Sequence, residues 1–237
     1  MKVTFANCRN GKSTTVLNLG ASLALLKSKV ILLDLDGQRT LSFGLGLDGQ
    51  TPTALDLLVH TNVDPKDTTI ANLHLIPGDL GLFQLTTEED LFTPALASLK
   101  GLDFDICLMD CSPGLGVVSV QAILSSDLIL IPVICEPAVL KGLSEAVQLI
   151  REERPNVAIE VLRCRHRPRL LITKEAETLL VEAQTELNYQ LLETTIPENI
   201  AVAEAIAHFV PVTVYAPRSM GAIAYKQLAK EFKKNWL

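Results

Sequence analysis

A chain of 237 residues with 48% hydrophobic and 20% charged residues, its 13 Gly and 12 Pro scattered along it, is long enough to bury a full core and is no collagen-like, disulfide-scaffold or low-complexity sequence. The formal net charge of −6 excludes a uniformly basic nucleic-acid binder while leaving room for a local basic patch. Five cysteines at unrelated spacings, Cys8, Cys107, Cys111, Cys135 and Cys164, suit reduced thiols in a cytoplasm better than a disulfide framework.

Met1 to Ala6 carries neither a basic segment nor a long apolar stretch, so no targeting signal is expected there, and Val3 to Ala6 reads as a buried strand. Val16, Leu19, Leu23 and Leu26 follow at helical spacing. Further runs apolar on both faces are Val30 to Leu35, Leu73 to Ile76, Ile106 to Met109, Leu128 to Val133, Ile159 to Leu162 and Leu191 to Ile196, as strands covered by helices on both sides must be. The longest, Leu128 to Cys135, falls far short of the roughly 20 residues of a membrane span. Val139, Leu143, Val147 and Ile150 form a second helical stripe. At the end of the chain Leu228, Phe232 and Trp236 share one face, which predicts a packed terminal helix rather than one lying on a membrane surface. Alternation of strand and helix throughout predicts an α/β fold: a mostly parallel twisted sheet of about seven to eight strands with helices on both faces and the ligand at the carboxyl ends of the strands. No repeat or linker interrupts it, so residues 1–237 are expected to form one domain.

The first strand runs into Asn7-Cys8-Arg9-Asn10-Gly11-Lys12-Ser13-Thr14-Thr15 and then directly into a helix. Gly-Lys-Ser at a strand-to-helix turn is the core of a phosphate-binding loop: backbone N–H groups and the positive helix end hold phosphate oxygens, Lys12 adds charge, and the Ser13 hydroxyl can ligate Mg²⁺. Asp34 and Asp36 end the second strand on one face, and Asp34 directly follows four apolar residues, so its carboxylate needs a cation or a donor network. Asp110 follows the apolar run Ile106 to Met109, as a Walker-B carboxylate near Mg²⁺ does. Three acids and a phosphate loop thus converge on one edge. His60, His74, His166 and His208 lack metal-ligand spacing.

These segments, with Asn72 to Gly78, Asp127 to Val133, Ile196-Pro197-Glu198-Asn199 and Ala203-Glu204-Ala205, resemble the ParA/MinD family of deviant Walker P-loop ATPases, and within it the Soj-like ParA partition proteins, over almost the whole chain. The resemblance implies a P-loop NTPase fold binding ATP or ADP with Mg²⁺. It implies nucleotide contacts from Arg9, Asn10, Gly11, Lys12, Ser13 and Thr14, with Pro197 and Asn199 near the adenine. Ser13, Asp34 and Asp110 are then the metal-site candidates, and Lys12 and Asp36 the catalytic ones, Asp36 positioning the attacking water. Family loops read Lys-Gly-Gly-x-Gly-Lys-Ser/Thr; here the loop is about two residues shorter and lacks the paired glycines, so the full phosphate-loop pattern is not met. Asn10 tolerates left-handed backbone better than most residues, and Arg9 could replace the family's cross-dimer lysine.

The same resemblance implies an ATP-dependent homodimer, nucleoid-associated in the cytoplasm, that binds nonspecific DNA and works with a ParB-like or other adaptor to segregate or position plasmid, chromosome or other cargo. Two basic groups are candidates for the DNA surface: Arg163, Arg165, Arg167 and Arg169, in a run without an acid to Lys174, and Lys226, Lys230, Lys233 and Lys234 near the end of the chain. A non-hydrolysing nucleotide-responsive module, motivated by the short loop, and a carboxysome-positioning or MinD-like relative are the alternatives.

Overall fold

A strand buried on both faces must pair its backbone polar groups in a ladder, and the apolar runs do so. The computed structural model describes residues 1–6, 11–87, 89–114, 116–136 and 138–237. Its strands are β1 (Lys2–Phe5), β2 (Val30–Leu35), β3 (Lys66–Asp67), β4 (Leu73–Ile76), β5 (Ile106–Cys111), β6 (Leu128–Ile134), β7 (Ala158–Cys164) and β8 (Gln190–Leu191). The helices are α1 (Lys12–Leu25), α2 (Thr40–Gly44), α3 (Ala54–His60), α4 (Phe92–Leu99), α5 (Val117–Ser125), α6 (Val139–Glu153), α7 (Leu171–Leu187), α8 (Ile200–Ala207), α9 (Val212–Tyr215) and α10 (Met220–Trp236). The eight strands form one sheet in the order β3-β4-β2-β5-β1-β6-β7-β8, parallel except for β3. From β1 the chain crosses to β2 on one side, and from β5 it crosses to β6 on the other, so a crevice opens at the carboxyl end of β1, where α1 begins.

Strand parity sorts the core into two layers. Val30 and Leu32 of β2, Ile106 and Leu108 of β5, and Val3 and Phe5 of β1 pack with α1 and α10. Ile31, Leu33, Cys107 and Met109 face α3, α4 and α5, and Ile129, Ile131, Ile159 and Val161 face α6 and α7. Asp34 and Asp110 share the parity of Leu32 and Leu108 and therefore lie on the α1 side, in register with one another across β2 and β5.

Helix α1 is more deeply enclosed than its apolar stripe predicts. Its buried residues include Thr15, Asn18 and Ser22, because α10 covers the side away from the sheet. Asn18 and Ser22 are satisfied within α1 and from α9: Asn18 Nδ2 donates to the Thr14 carbonyl, Asn18 Oδ1 accepts the Val212 N–H, and Ser22 donates to the Asn18 carbonyl. At Gly20 a Cβ would lie 2.7 Å from Leu32 Cδ2, so a larger residue there would require the Leu32 side chain to shift. The terminal helix is packed as expected, with Tyr225, Leu228 and Phe232 buried. No helix among the described residues is long and apolar enough to cross a membrane.

The last expected strand, Leu191 to Ile196, is shorter than predicted: only Gln190–Leu191 joins the sheet. Beyond it the Leu192 and Ile196 N–H groups still donate to the Val161 and Arg163 carbonyls, and side chains replace the ladder between them. The Glu231 carboxylate of α10 accepts the N–H groups of Glu193 and Thr194 at 2.7 and 2.9 Å, while the Arg163 guanidinium donates to the Leu192 and Glu193 carbonyls at 2.8 and 3.3 Å. The strand Lys66–Asp67, with no apolar run to announce it, was not expected.

Candidate functional site

The site lies where α1 starts. Gly11, its N-cap, has φ +97°, a left-handed backbone that glycine adopts without strain. Lys12 and Ser13 open the helix, so Lys12, buried to 5% exposure, is held at its positive end. Arg9 and Asn10, with the rest of 7–10, lie outside the described residues.

Asp110 is 1% exposed, and beyond the adjacent Ser13 hydroxyl its oxygens have no hydrogen-bond partner among the described residues. Burial, and then the Asp34 charge opposite, raise its pKa well above the usual carboxylate range; the nearby Ser13 hydroxyl and Lys12 ammonium pull it down. A buried acid with free lone pairs beside a phosphate-loop serine is a site that a hydrated divalent cation fits, since the cation would satisfy oxygens that the protein leaves open.

Asp34 is equally buried but differently used. Its Oδ2 accepts the Ser42 N–H at 2.9 Å and the Ser42 hydroxyl at 2.6 Å, and its Oδ1 accepts the Asp36 N–H at 3.2 Å. Burial nonetheless pushes its pKa up to about 6, against the lowering effect of those bonds. Ser42 Oγ in turn accepts the Gly78 N–H at 2.9 Å, so Asp34 ties the start of α2 to the end of β4. Three of its acceptor positions serve the fold, which leaves Asp110 as the more open carboxylate of the pair.

Asp36 stands just past β2. Its Oδ1 accepts the Gln38 N–H at 2.9 Å and the Ser112 hydroxyl at 3.0 Å, fixing the carboxylate between the ends of β2 and β5. Sequence reasoning assigned no role to Ser112 or Ser42. The only local signal for Ser112 is a hydroxyl two residues after the strand-end acid, and Ser42, eight residues from Asp34, gives none.

The segment expected at the base is placed by backbone bonds to the loop after β7. Pro197 forms a bridge with His166, and Ile196 N–H donates to the Arg163 carbonyl at 2.8 Å. Asn199 caps α8, and its Oδ1 is buried without a hydrogen-bond partner among the described residues.

The basic groups divide. Arg163 has the parity that points to α7: its Nη1 pairs with Glu177 Oε1 at 2.9 Å and its side chain is 15% exposed, so it braces the fold rather than facing solvent. Arg165, Arg167 and Arg169 are exposed. On α10, Lys226 donates to the Pro217 carbonyl, and Lys233 reaches the Leu26 carbonyl at 3.0 Å beyond the C-terminus of α1; Lys230 and Lys234 are exposed. Lys233 thus lies by the amino end of β2, while Arg165 to Arg169 follow the carboxyl end of β7. Lys233 is therefore far from the arginines, whereas Lys226, in the first half of α10, lies nearer the Asn199 end of that helix.

Residues 2–161 match the family model for an AAA domain. The chain is 31% identical to the sporulation initiation inhibitor protein Soj of Bacillus subtilis, over 95% of this chain and 94% of the relative. It is 32% identical to the chromosome-partitioning ATPase Soj of Treponema pallidum, over 93% and 91% of the two chains. Among solved structures it resembles the cell division ATPase MinD of Pyrococcus furiosus, with a TM-score of 0.82 and 26% identity over 99% of this chain and 98% of that one. With the phosphate-loop core at α1 and the carboxylates of β2 and β5 beside it, these likenesses show that the chain belongs to the ParA/MinD family of P-loop ATPases.

Proposed function

We propose that this chain is a ParA-like, nucleotide-dependent partition protein: ATP binding drives homodimerisation, the dimer holds nonspecific DNA, and an adaptor stimulates hydrolysis and release while cargo is segregated or positioned. The observation that carries the reading is the convergence of Lys12, Ser13, Asp36 and Asp110 at the head of α1. The chromosome-partitioning name of the Treponema pallidum relative supports the cargo role.

Lys12 and the N–H groups at the head of α1 would hold the phosphates. Asp36, kept in place by Ser112 and the Gln38 N–H, would accept a hydrogen bond from the attacking water and align it with the γ-phosphate. Ser13 and, through water, Asp110 would hold Mg²⁺, which when bound supplies charge neutralisation at the phosphate oxygens. Asn199, with an open buried acceptor, would meet a donor such as the adenine amino group. Arg165, Arg167 and Arg169 after β7, and the lysines of α10, are the candidate phosphate contacts for DNA.

Titration with ATP and ADP in the presence of Mg²⁺, followed by phosphate release with and without random-sequence duplex, tests the reading. Tight ATP binding with DNA- or adaptor-stimulated release supports it. Binding without release in any combination supports instead the nucleotide-responsive module that the short loop suggests, and absence of DNA binding with every nucleotide favours another cargo.

A further inference from the structure

The basic run after β7 is free of acids in sequence but not in space. Arg165 donates from Nε and Nη2 to Glu198 Oε1, at 3.3 and 2.8 Å, and Arg167 Nε pairs with Glu198 Oε2. One carboxylate, using both oxygens, engages two guanidinium groups whose side chains are 53% and 47% exposed. Arg167, followed by Arg165, brings the Glu198 carboxyl down to about 2, so it is ionised throughout the physiological range. Glu136 adds a further acid near Arg167. Glu198 is also not on a free loop: besides the Ile196 bond to Arg163, the His166 N–H donates to the Ile196 carbonyl at 2.9 Å and the Glu198 N–H to the His166 carbonyl at 3.3 Å. The acid and the arginines it holds are therefore laced together by backbone bonds, and Glu198 stands between Pro197 and Asn199, the residues expected at the nucleotide base.

Guanidinium groups recognise phosphate through the same forked donors that they offer a carboxylate. We infer that Glu198 is an internal stand-in for a phosphate, a latch that occupies Arg165 and Arg167 and keeps this surface from binding a polyanion until the segment 196–199 shifts. The latch rests on the DNA-binding reading above and deepens it by naming what restrains that surface. Because exposed ion pairs are individually weak, it is releasable, and because the latch shares its segment with Pro197 and Asn199, a change at the base-binding position is transmitted to the arginines without passing through the core.

The test uses the full chain in four forms: parent, Glu198→Gln, Arg165→Gln with Arg167→Gln, and the triple variant, each checked for folding by circular dichroism. Retention on immobilised heparin reads the freed arginines whatever the natural partner, and filter binding of random-sequence duplex at two salt concentrations reads DNA. Glu198→Gln is expected to elute from heparin at higher salt and to bind duplex about tenfold more tightly at low salt. Its log-affinity against log-salt slope should steepen by about 1.8, for two added phosphate contacts. The triple variant should lose both gains, while the two arginine substitutions alone should change little, since those arginines are already occupied. Unchanged heparin retention in Glu198→Gln, or equal losses from the arginine substitutions with and without Glu198, overturns the latch. Higher heparin retention without duplex binding by any form upholds the latch and removes DNA as its partner; duplex binding that ignores Glu198 does the reverse.

Discussion

Asp34 and Asp110 are buried on adjacent strands and face α1 because strand parity leaves them no other direction, whereas Arg165 and Arg167, beyond the end of β7, are half exposed and take their positions from a single acid thirty-odd residues away. In the first region burial raises both pKa values and makes every donor matter; in the second, solvent screens the charges and the pairing is exchangeable. The contrast separates a rigid chemical site from an adjustable electrostatic surface, although both lie toward the carboxyl edge of one sheet.

Substitutions can sharpen or break that contrast. The largest effect is expected from Asp36→Ala, which should lower stimulated phosphate release by about a hundredfold or more, roughly 2.7 kcal/mol, while sparing ATP affinity, because a water-aligning carboxylate acts on the transition state. A parallel fall in affinity by titration calorimetry would make Asp36 structural.

Arg163→Ala should cost about 1–3 kcal/mol in denaturant unfolding, since it removes the bond to Glu177 and the donors to the 192–193 carbonyls, whereas Arg169→Ala should stay within about 0.5 kcal/mol. Equal costs would erase the distinction between the bracing arginine and the exposed ones. For Lys12→Ala we expect ATP affinity to fall at least tenfold, about 1.4 kcal/mol, by calorimetry; unchanged affinity would mean that the loop does not hold nucleotide.

The smallest expected effect has the opposite sign. An acid whose folded pKa lies above its unfolded value stabilises the fold most at low pH, and that contribution is lost as pH rises from the unfolded pKa through the folded one. Asp110 is such a group, so its ionisation penalty is felt toward neutral pH. Asp110→Asn should therefore modestly stabilise the nucleotide-free protein at pH 7, with the gain fading near pH 4, and should abolish any tightening of ATP binding by Mg²⁺. A destabilised variant at pH 7, measured by thermal unfolding, would show that Asp110 is satisfied by the protein itself.

Much of the architecture was legible in the residues. Apolar runs at β1, β2, β4, β5, β6 and β7 announce strands because a two-sided burial allows no polar face, and the same alternation puts Asp34 and Asp110 on one side. The run Leu191 to Ile196 misled because its composition matches a buried strand while the Glu231 and Arg163 side chains, remote in sequence, satisfy its middle in place of a continuous ladder. The stripe on α1 understated its burial because nothing local says that α10 will cover the opposite side.

By itself the sequence determined the α/β alternation, the Gly11-Lys12-Ser13 turn at the head of a helix, and the acids at the ends of β2 and β5, all of which follow from local spacing and the two-residue period of a strand. Only the tertiary structure decided that Ser112 steadies Asp36, that Ser42 occupies Asp34 and leaves Asp110 more open, that Arg163 is internal, and that Glu198 pairs with Arg165 and Arg167 in a run that reads as free of acids. Those outcomes depend on which side chains meet across elements distant in the chain, and a long charged or polar side chain takes its partner from that meeting, not from its neighbours in sequence.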